Sequence, residues 1–549
     1  MSALPYVFWT AFLFGLIIAL AWAISKYLFA VYTGKKGRLD RLFDPIDKAI
    51  YKIIRADPSR EMSGKEYFIV LLVFSAFTVA LCFIILLLQG LLPLNPQHFA
   101  GLSWDLALHT ALSFATNTDL QHYAGETALS YLSQMMALQF LEFTSAAIGL
   151  CAAVAVFRGF SGKFKGIGNF YYDFVRSVTR VMLPLSAIAA IVLVASGLPQ
   201  TLGGYVTANT IGGGMITLPV GPVASMASIE QLGTNGGGYY GANFASPYQD
   251  PSPFTNWFEF VLMLVLVTSM PFLFGSMVGN RKEGRTLLIA TYVIFGINIA
   301  IAFINFTGFG PYMEARLGAF SSVLWTAAAT STMTGSLNAS LSAFSPFVII
   351  SALLGMFIQA APGGLGGGVI YLLMYVVIAV FIVGLMAGRT PEYLGAKIIP
   401  QDVKRAVIAF ISHPLLILIP LALAFSTGAA AAIGSGAVPN GYTQVLYEFA
   451  SAAANNGSDF LGASANTLFF NISTGIVVWF GRFISIAIML IIADSMSKRQ
   501  RTPETGLRTD NMLFVAILVG SILLLAVLTF MPFIVLGPVL SLLQGFHAI

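Results

Sequence analysis

The sequence predicts an all-α membrane protein of ten transmembrane helices. Eight form four pseudo-symmetric units of span, pore helix, filter loop and span, with one extra helix at each end. Three observations carry that expectation: an apolar composition, basic residues confined to alternate loops, and a short polar motif that recurs four times. Of 549 residues, 57% are hydrophobic and 9% charged, with a mean hydropathy of +0.84. Soluble domains carry about 25% charged residues, so most of this surface faces lipid. Cys82 and Cys151 sit in apolar runs and are expected to be small buried residues, neither disulfide-bonded nor metal-binding.

Crossing the hydrocarbon core takes about 20 apolar residues. Ten stretches qualify, near residues 6–30, 66–92, 128–157, 174–197, 257–279, 286–308, 346–387, 406–427, 466–494 and 511–537. No Lys or Arg precedes the first, so it is expected to be an uncleaved span with its N-terminus outside. The seventh is too long for one crossing and holds Pro362, Gly363, Gly364, Gly366, Gly367 and Gly368, which predicts a break at mid-membrane.

Charge orients the spans. Residues 33–65 hold nine Lys or Arg, and further clusters fall at Lys163 and Lys165, Arg281 to Arg285, Arg389 to Arg405, and Lys498 to Arg508. All lie on alternate loops, whereas the opposite loops (93–127, 198–256, 309–345, 428–465) hold one basic residue, Arg316. This positive-inside pattern predicts both termini outside the cytoplasm, and it explains the net charge of +5 without nucleic acid. The predicted organisation is an extra span with a basic loop (1–65), four repeats (66–158, 159–285, 286–405, 406–498) and a final span (499–549).

The four opposite loops share one pattern: a modestly apolar segment too short to span, then a Gly/Asn/Thr/Ser cluster. The clusters are Thr116-Asn117-Thr118, Gly233-Thr234-Asn235-Gly236, Thr334-Gly335-Ser336 and Asn455-Asn456-Gly457, spaced by about 120, 100 and 120 residues. A cation enters low-dielectric surroundings only if oxygens replace its water, and four backbone loops can surround it with carbonyls at no cost in net charge. Gly and Asn tolerate the positive φ that aligns successive carbonyls, and the negative ends of the short helices favour a cation. Asp105, Asp119, Glu126, Glu230, Asp250, Glu314, Glu448 and Asp459 give these loops an acidic balance, predicting a negatively lined vestibule.

The strings TNTDLQHYAGE (116–126), GTNGGGYYGAN (233–243), AANNGSDFLG (453–462) and GRTPEYLGAK (388–397) resemble the A subunit of the bacterial Kdp potassium-transporting ATPase, over nearly the whole chain. The resemblance implies a superfamily-of-potassium-transporters fold with a K+ filter at the four clusters above. It also implies a role for Gln121 near the outer mouth and a gate at the Gly363, Gly364 and Gly366 break. The implied partners are a P-type ATPase subunit, a single-span C subunit and often a small F peptide, with potassium leaving sideways into the pump. The third loop departs from the pattern with Met333 and Thr334 where other members read Ser-Cys, and Gln359 replaces a glutamate of some members.

Arg482, inside the ninth span, is a candidate electrostatic barrier below the filter, with Glu142 as a possible ion-pair partner. Arg389, Glu392 and Tyr393 of GRTPEYLG are candidates for contacting the pump or bracing the broken helix. His98, His109, His122, His413 and His547 lack metal-ligand spacing. No GxxxxGK[ST] or DKTGT motif is present, so no catalytic chemistry and no cofactor beyond transported K+ is expected on this chain. The competing expectation is an autonomous Trk/Ktr-like channel or symporter subunit, which GRTPEYLG disfavours; a membrane enzyme would need converging His or carboxylate ligands.

Overall fold

The computed structural model describes residues 4–38, 40–306, 315–434, 440–501 and 506–543. Ten of its helices are long and apolar enough to cross a membrane. In chain order the elements are α1 (Leu4–Tyr32), α2 (Asp40–Ile53), α3 (Gly64–Leu88), α4 (Trp104–Ala115), α5 (Tyr131–Ser161), α6 (Phe170–Ala195), α7 (Val223–Leu232), α8 (Pro253–Val278), α9 (Arg281–Ala302) and α10 (Ala319–Ser331). They continue with α11 (Pro346–Ile358), α12 (Gly367–Met386), α13 (Pro400–Ser426), α14 (Asn440–Ala454), α15 (Leu468–Ser497) and α16 (Met512–Val539). Beside short single-turn helices, there are two small antiparallel hairpins: β1 (Val206–Asn209) with β2 (Met215–Leu218), and β3 (Glu392–Tyr393) with β4 (Ala396–Lys397).

The spans begin where local chemistry satisfies their first N–H groups. Ser63, Thr467 and Asn511 cap α3, α15 and α16. Ser252 and Thr255 form a reciprocal cap on α8, with Pro253 at the first helical position. The seventh apolar stretch is broken as expected: α11 ends at Ile358, the chain turns through 359–366, and α12 resumes at Gly367. Helix α2 and the β1–β2 hairpin have no counterpart among the expected elements, which treated both regions as loops.

Burial alternates along the chain. The spans following the short helices, α5, α8, α12 and α15, hold 61–89% of their most apolar stretch inside the protein, against 22–50% for the other six. The inner four therefore surround a centre, and the others face lipid or support them from outside. α15 packs on α5, α13 and α4, while α1 packs against α8 and α16 against α9 and α12. Gly159 lets α5 meet α15 closely, since a Cβ there would stand 2.6 Å from the carbonyl carbon and Cβ of Ala493. Cys82 and Cys151 are buried and unpaired, as expected.

The basic side of the bundle is tied by a buried ion pair. Arg158 at the end of α5 meets Asp173 at the start of α6 through two contacts, of 2.7 and 2.8 Å. Tyr67 donates to the same carboxylate at 3.0 Å, and Arg158 also donates to the Tyr32 carbonyl at 3.2 Å. Removing one partner strands the other charge. Asp173→Ala is expected to destabilise the protein by about 3–5 kcal/mol in thermal unfolding of the detergent-solubilised chain, and Arg158→Met with Asp173→Leu to recover most of the loss. Wild-type unfolding of the single variant would contradict this.

Candidate ion-selectivity filter

Four short helices, α4, α7, α10 and α14, end at Ala115, Leu232, Ser331 and Ala454, each followed by a loop of the same construction. A left-handed residue follows each helix, two positions beyond its end in the first three loops and one beyond it in the fourth: Asn117 (φ 64°), Thr234 (54°), Met333 (54°) and Asn455 (54°). The next residue returns its N–H to the helix carbonyl five residues back. These bonds are Thr118 to Ser113 (3.0 Å), Asn235 to Glu230 (2.8 Å), Thr334 to Ala329 (2.9 Å) and Asn456 to Ser451 (2.9 Å). With the N–H turned back into the helix, the backbone carbonyls of the loop are free to face elsewhere. A left-handed turn at a non-glycine residue costs about 1–2 kcal/mol, and all four loops bear it at one position. The third loop thus includes Met333, one residue ahead of the expected cluster.

The loops join into a closed ring. The Asn117 amide donates to the carbonyls of Gly233 (3.1 Å) and Thr234 (2.7 Å), tying loop one to loop two. Ser336 donates to the Asn235 carbonyl at 3.4 Å and receives the Gln231 amide at 3.0 Å, tying three to two. Asn456 donates to the Ala329 carbonyl (3.1 Å), tying four to three, and Asn455 to the Thr118 hydroxyl (2.8 Å), tying four to one. Within loops one and three, Thr116 pairs with Thr118 and Thr332 with Thr334 through their hydroxyls, at 2.8 and 2.6 Å.

Carbonyls converge inside this ring. A Cβ placed on Gly236 would collide with the carbonyl oxygens of both Thr118 and Asn456; one on Gly457 would strike the Thr118 oxygen, and one on Gly335 the Asn456 oxygen. Three loops therefore need glycine two residues after the left-handed one, and Asp119 takes that place in the first, with φ 54°. Gln121 contributes no backbone to this level. Its side chain makes a two-bond clamp on Gly238, donating to the carbonyl and accepting from the N–H, each at 3.0 Å.

On the acidic side the ring opens into a cavity of about 440 Å³ lined by Asp119, Gln121, Gly335, Gly457 and Asp459. The expected acidic vestibule is narrower than the sequence suggested, because most of the acids are committed to structure. Asp105 accepts from Asn471 and Glu230 from Gln249, while Glu126 caps the Gly241 N–H. Asp250 accepts from Thr255 and Asn256 at the start of α8, and burial pushes its carboxyl up to about 6 against the pull of those bonds. Glu314 lies outside the described residues.

Below the ring is a smaller space lined by Asn117, Thr234, Met333, Gln359, Gly364 and Arg482. Arg482 donates to the Ser145 carbonyl at 3.0 Å and, among the described residues, forms no ion pair. Glu142 is not its partner: neither of its buried oxygens has a hydrogen-bond partner among those residues. The break at 359–366 wedges directly beneath the loops. Gly363 N–H donates to the Ser331 carbonyl (2.8 Å) and Leu365 N–H to the Thr234 hydroxyl (3.0 Å). Gly363 and Gly366 are left-handed (φ 74° each), and a Cβ on Gly366 would collide with the Gly149 carbonyl. Gln359 is left-handed too (φ 55°) and holds His413 at 2.8 Å.

Of the three residues considered for partner contact, only Arg389 is exposed; it donates to the Gly506 carbonyl at 3.2 Å. Glu392 and Tyr393 are buried within the chain, the Tyr393 ring lying 6.0 Å from Phe160 and 6.5 Å from Phe274. The Tyr393 ring braces the ends of α5 and α8. Trp325 and Tyr447, which no sequence motif marks, support the ring from outside together with His109 and His122, which flank the first loop. His122 is fully buried, held by Asn471 (2.7 Å) and Glu448 (2.9 Å) and stacked on His109 at 4.0 Å. Trp325 donates to the Ser336 carbonyl (2.8 Å), and Tyr447 bonds Ser458 (2.7 Å). Only tertiary contact reveals them, since His122 and Glu448 are far apart in sequence.

Four loops of one construction, held among ten helices long and apolar enough to cross a membrane, define a multi-pass membrane protein. The profile described as Potassium-transporting ATPase A subunit matches residues 11–543, and the chain belongs to that family. It is 40% identical over 543 residues to the potassium-transporting ATPase potassium-binding subunit of Caldanaerobacter subterraneus subsp. tengcongensis, covering 96% of this chain and 97% of that protein. It is 42% identical over 548 residues to the subunit of the same name from Geobacillus kaustophilus, with the same coverage.

The ring bonds set the mechanical stability of the site. Asn117→Ala and Gln121→Ala each strand buried partners and are expected to lower stability by about 1–3 kcal/mol in thermal unfolding, with Ser145→Ala smaller because it removes one bond to Asn117. Equal melting temperatures across the three variants would contradict the ring.

Proposed function

We propose that the four-loop ring selects potassium and that this chain is the potassium-binding subunit of an ATP-driven uptake complex. The observation that carries the reading is the convergence of Thr118 and Asn456 carbonyls on Gly236, within loops whose N–H groups at Thr118, Asn235, Thr334 and Asn456 all turn back into their helices. Carbonyls of Thr118, Asn235, Thr334 and Asn456, with neighbours from Thr116, Asn117, Gly233, Thr234, Gly335, Ser336, Asn455 and Gly457, replace the water of the ion. The negative ends of α4, α7, α10 and α14 add favourable potential.

The basic loops face the cytoplasm of a bacterial inner membrane, so the 440 Å³ cavity is the outer mouth and both termini lie outside. An ion leaving the ring meets the Arg482 guanidinium and the 359–366 break, which together oppose passage straight through. It then passes sideways to a P-type ATPase subunit, where ATP is hydrolysed; a C subunit and a small F peptide complete the complex. The four units at 66–158, 159–285, 286–405 and 406–498 are the repeats that supply one loop each.

Gly236→Ala is expected to weaken potassium binding at least tenfold, read by isothermal titration on the purified chain, since its methyl would enter the space of two carbonyl oxygens. Unchanged affinity would remove the filter assignment. Arg482→Ala is expected to allow potassium leak through the chain reconstituted alone in vesicles, and a silent variant would remove the barrier role. Affinity purification of the native chain is expected to bring down a P-type ATPase; conduction by the chain without one would favour the autonomous channel.

A further inference from the structure

Helix α2 is the element of the basic side that the transport reading does not use. It has three distinct faces at helical spacing. Asp40, Asp44 and Asp47 recur at intervals of four and three and turn toward the protein, where Arg180 of α6 meets Asp40 at 3.0 Å and Asp44 at 2.7 Å and also binds Asp47. Arg176 stands 3.8 Å from Asp40. Leu42, Ile46, Ala49 and Ile53 form a second stripe, at intervals of four, three and four, and all are exposed. The large ones are 64%, 46% and 79% exposed, with no cover among the described residues. Arg41, Lys48 and Lys52 form a third face at one border of that stripe and are also exposed.

The depth of the helix identifies its surroundings. From Val181 to Ala195, α6 carries no charged residue, so Arg180 marks where its lipid-facing stretch begins. Through Arg180, α2 is fastened at that boundary, not out in the aqueous loop. On α1, Lys26 Nζ lies 3.2 Å above the Trp22 ring, and Tyr27 donates to the Arg180 carbonyl at 2.7 Å, an aromatic and lysine pairing typical of the membrane–water boundary. A 14-residue helix at that level, with an apolar stripe turned from the protein and a basic border, fits the interface plane and cannot span.

The geometry points to α2 as an interfacial anchor whose apolar stripe enters the leaflet on the basic side and whose Arg41, Lys48 and Lys52 bind anionic phospholipid headgroups. The acidic face, neutralised by Arg180 and Arg176, leaves the basic border as the charge presented to the membrane. The acids thus fix the rotation of the helix, and a rotation by half a turn would bury the apolar stripe against the arginines.

The test uses the full chain with Ile53→Cys labelled by an NBD fluorophore, the two native cysteines being buried. It is reconstituted in vesicles of phosphatidylcholine mixed equally with phosphatidylglycerol. The label is expected to emit as in an apolar medium. Doxyl-labelled phosphatidylglycerol is expected to quench it at least about twofold better than doxyl-phosphatidylcholine at equal mole fraction. Replacing Arg41, Lys48 and Lys52 by Gln should bring that ratio to about one while the label stays in the bilayer. A water-like, unquenched label overturns the anchor, and a wild-type ratio of one overturns the headgroup preference. Shielding that appears only when a P-type ATPase subunit is added would make the face a protein interface and overturn the proposal.

Discussion

Backbone that turns its carbonyl oxygens toward an ion must turn its N–H groups the other way, and at membrane depth each of those needs a partner. The rest of the architecture depends on meeting that constraint four times. The N–H groups of Thr118, Asn235, Thr334 and Asn456 each return to the last turn of a short helix, which is why every loop needs such a helix immediately before it. The helix in turn needs two spans to hold it at depth, and the unit of span, short helix, loop and span follows. Left-handed residues at Asn117, Thr234, Met333 and Asn455 are the strain this geometry imposes, and the inter-loop amide bonds of Asn117, Asn455 and Asn456 hold it in place.

The charged groups divide by the same logic. Several are satisfied internally: Arg158 with Asp173, Asp250 with Thr255 and Asn256, Glu448 with His122. Arg482 and Asp119 are different. Both are buried beside the ring, one on each side of it, and neither forms an ion pair among the described residues. An acid on one side of the ring and a base on the other suit the proposed function, in which the first favours an ion's arrival and the second opposes its escape.

Much of this was legible in the sequence because hydropathy and charge are long-range constraints that leave one-dimensional traces. The ten spans, the break at 359–366 and the four clusters all follow from apolar length, Gly/Pro content and basic loops. What stayed hidden has a common cause. Met333 in the third loop, the Gln121 clamp on Gly238 and the His122–Glu448 support are pairings set by tertiary geometry, and no local pattern marks them. Counting acids overstated the vestibule, since Asp105, Glu126, Glu230 and Asp250 proved to be hydrogen-bond acceptors for backbone and amides. Helix α2 falls within an expected loop because its aspartates and lysines hide an apolar stripe that emerges only at helical spacing.

The most direct measurement is the position of a heavy potassium analogue in the purified protein, by anomalous scattering from thallium(I)-soaked crystals. Density is expected on the axis of the ring, at the level of the Thr118, Asn235, Thr334 and Asn456 carbonyls, and is expected to weaken when potassium but not sodium is added. Density at buried carboxylates such as Glu142 or Glu259 with the ring axis empty would contradict selection by backbone carbonyls.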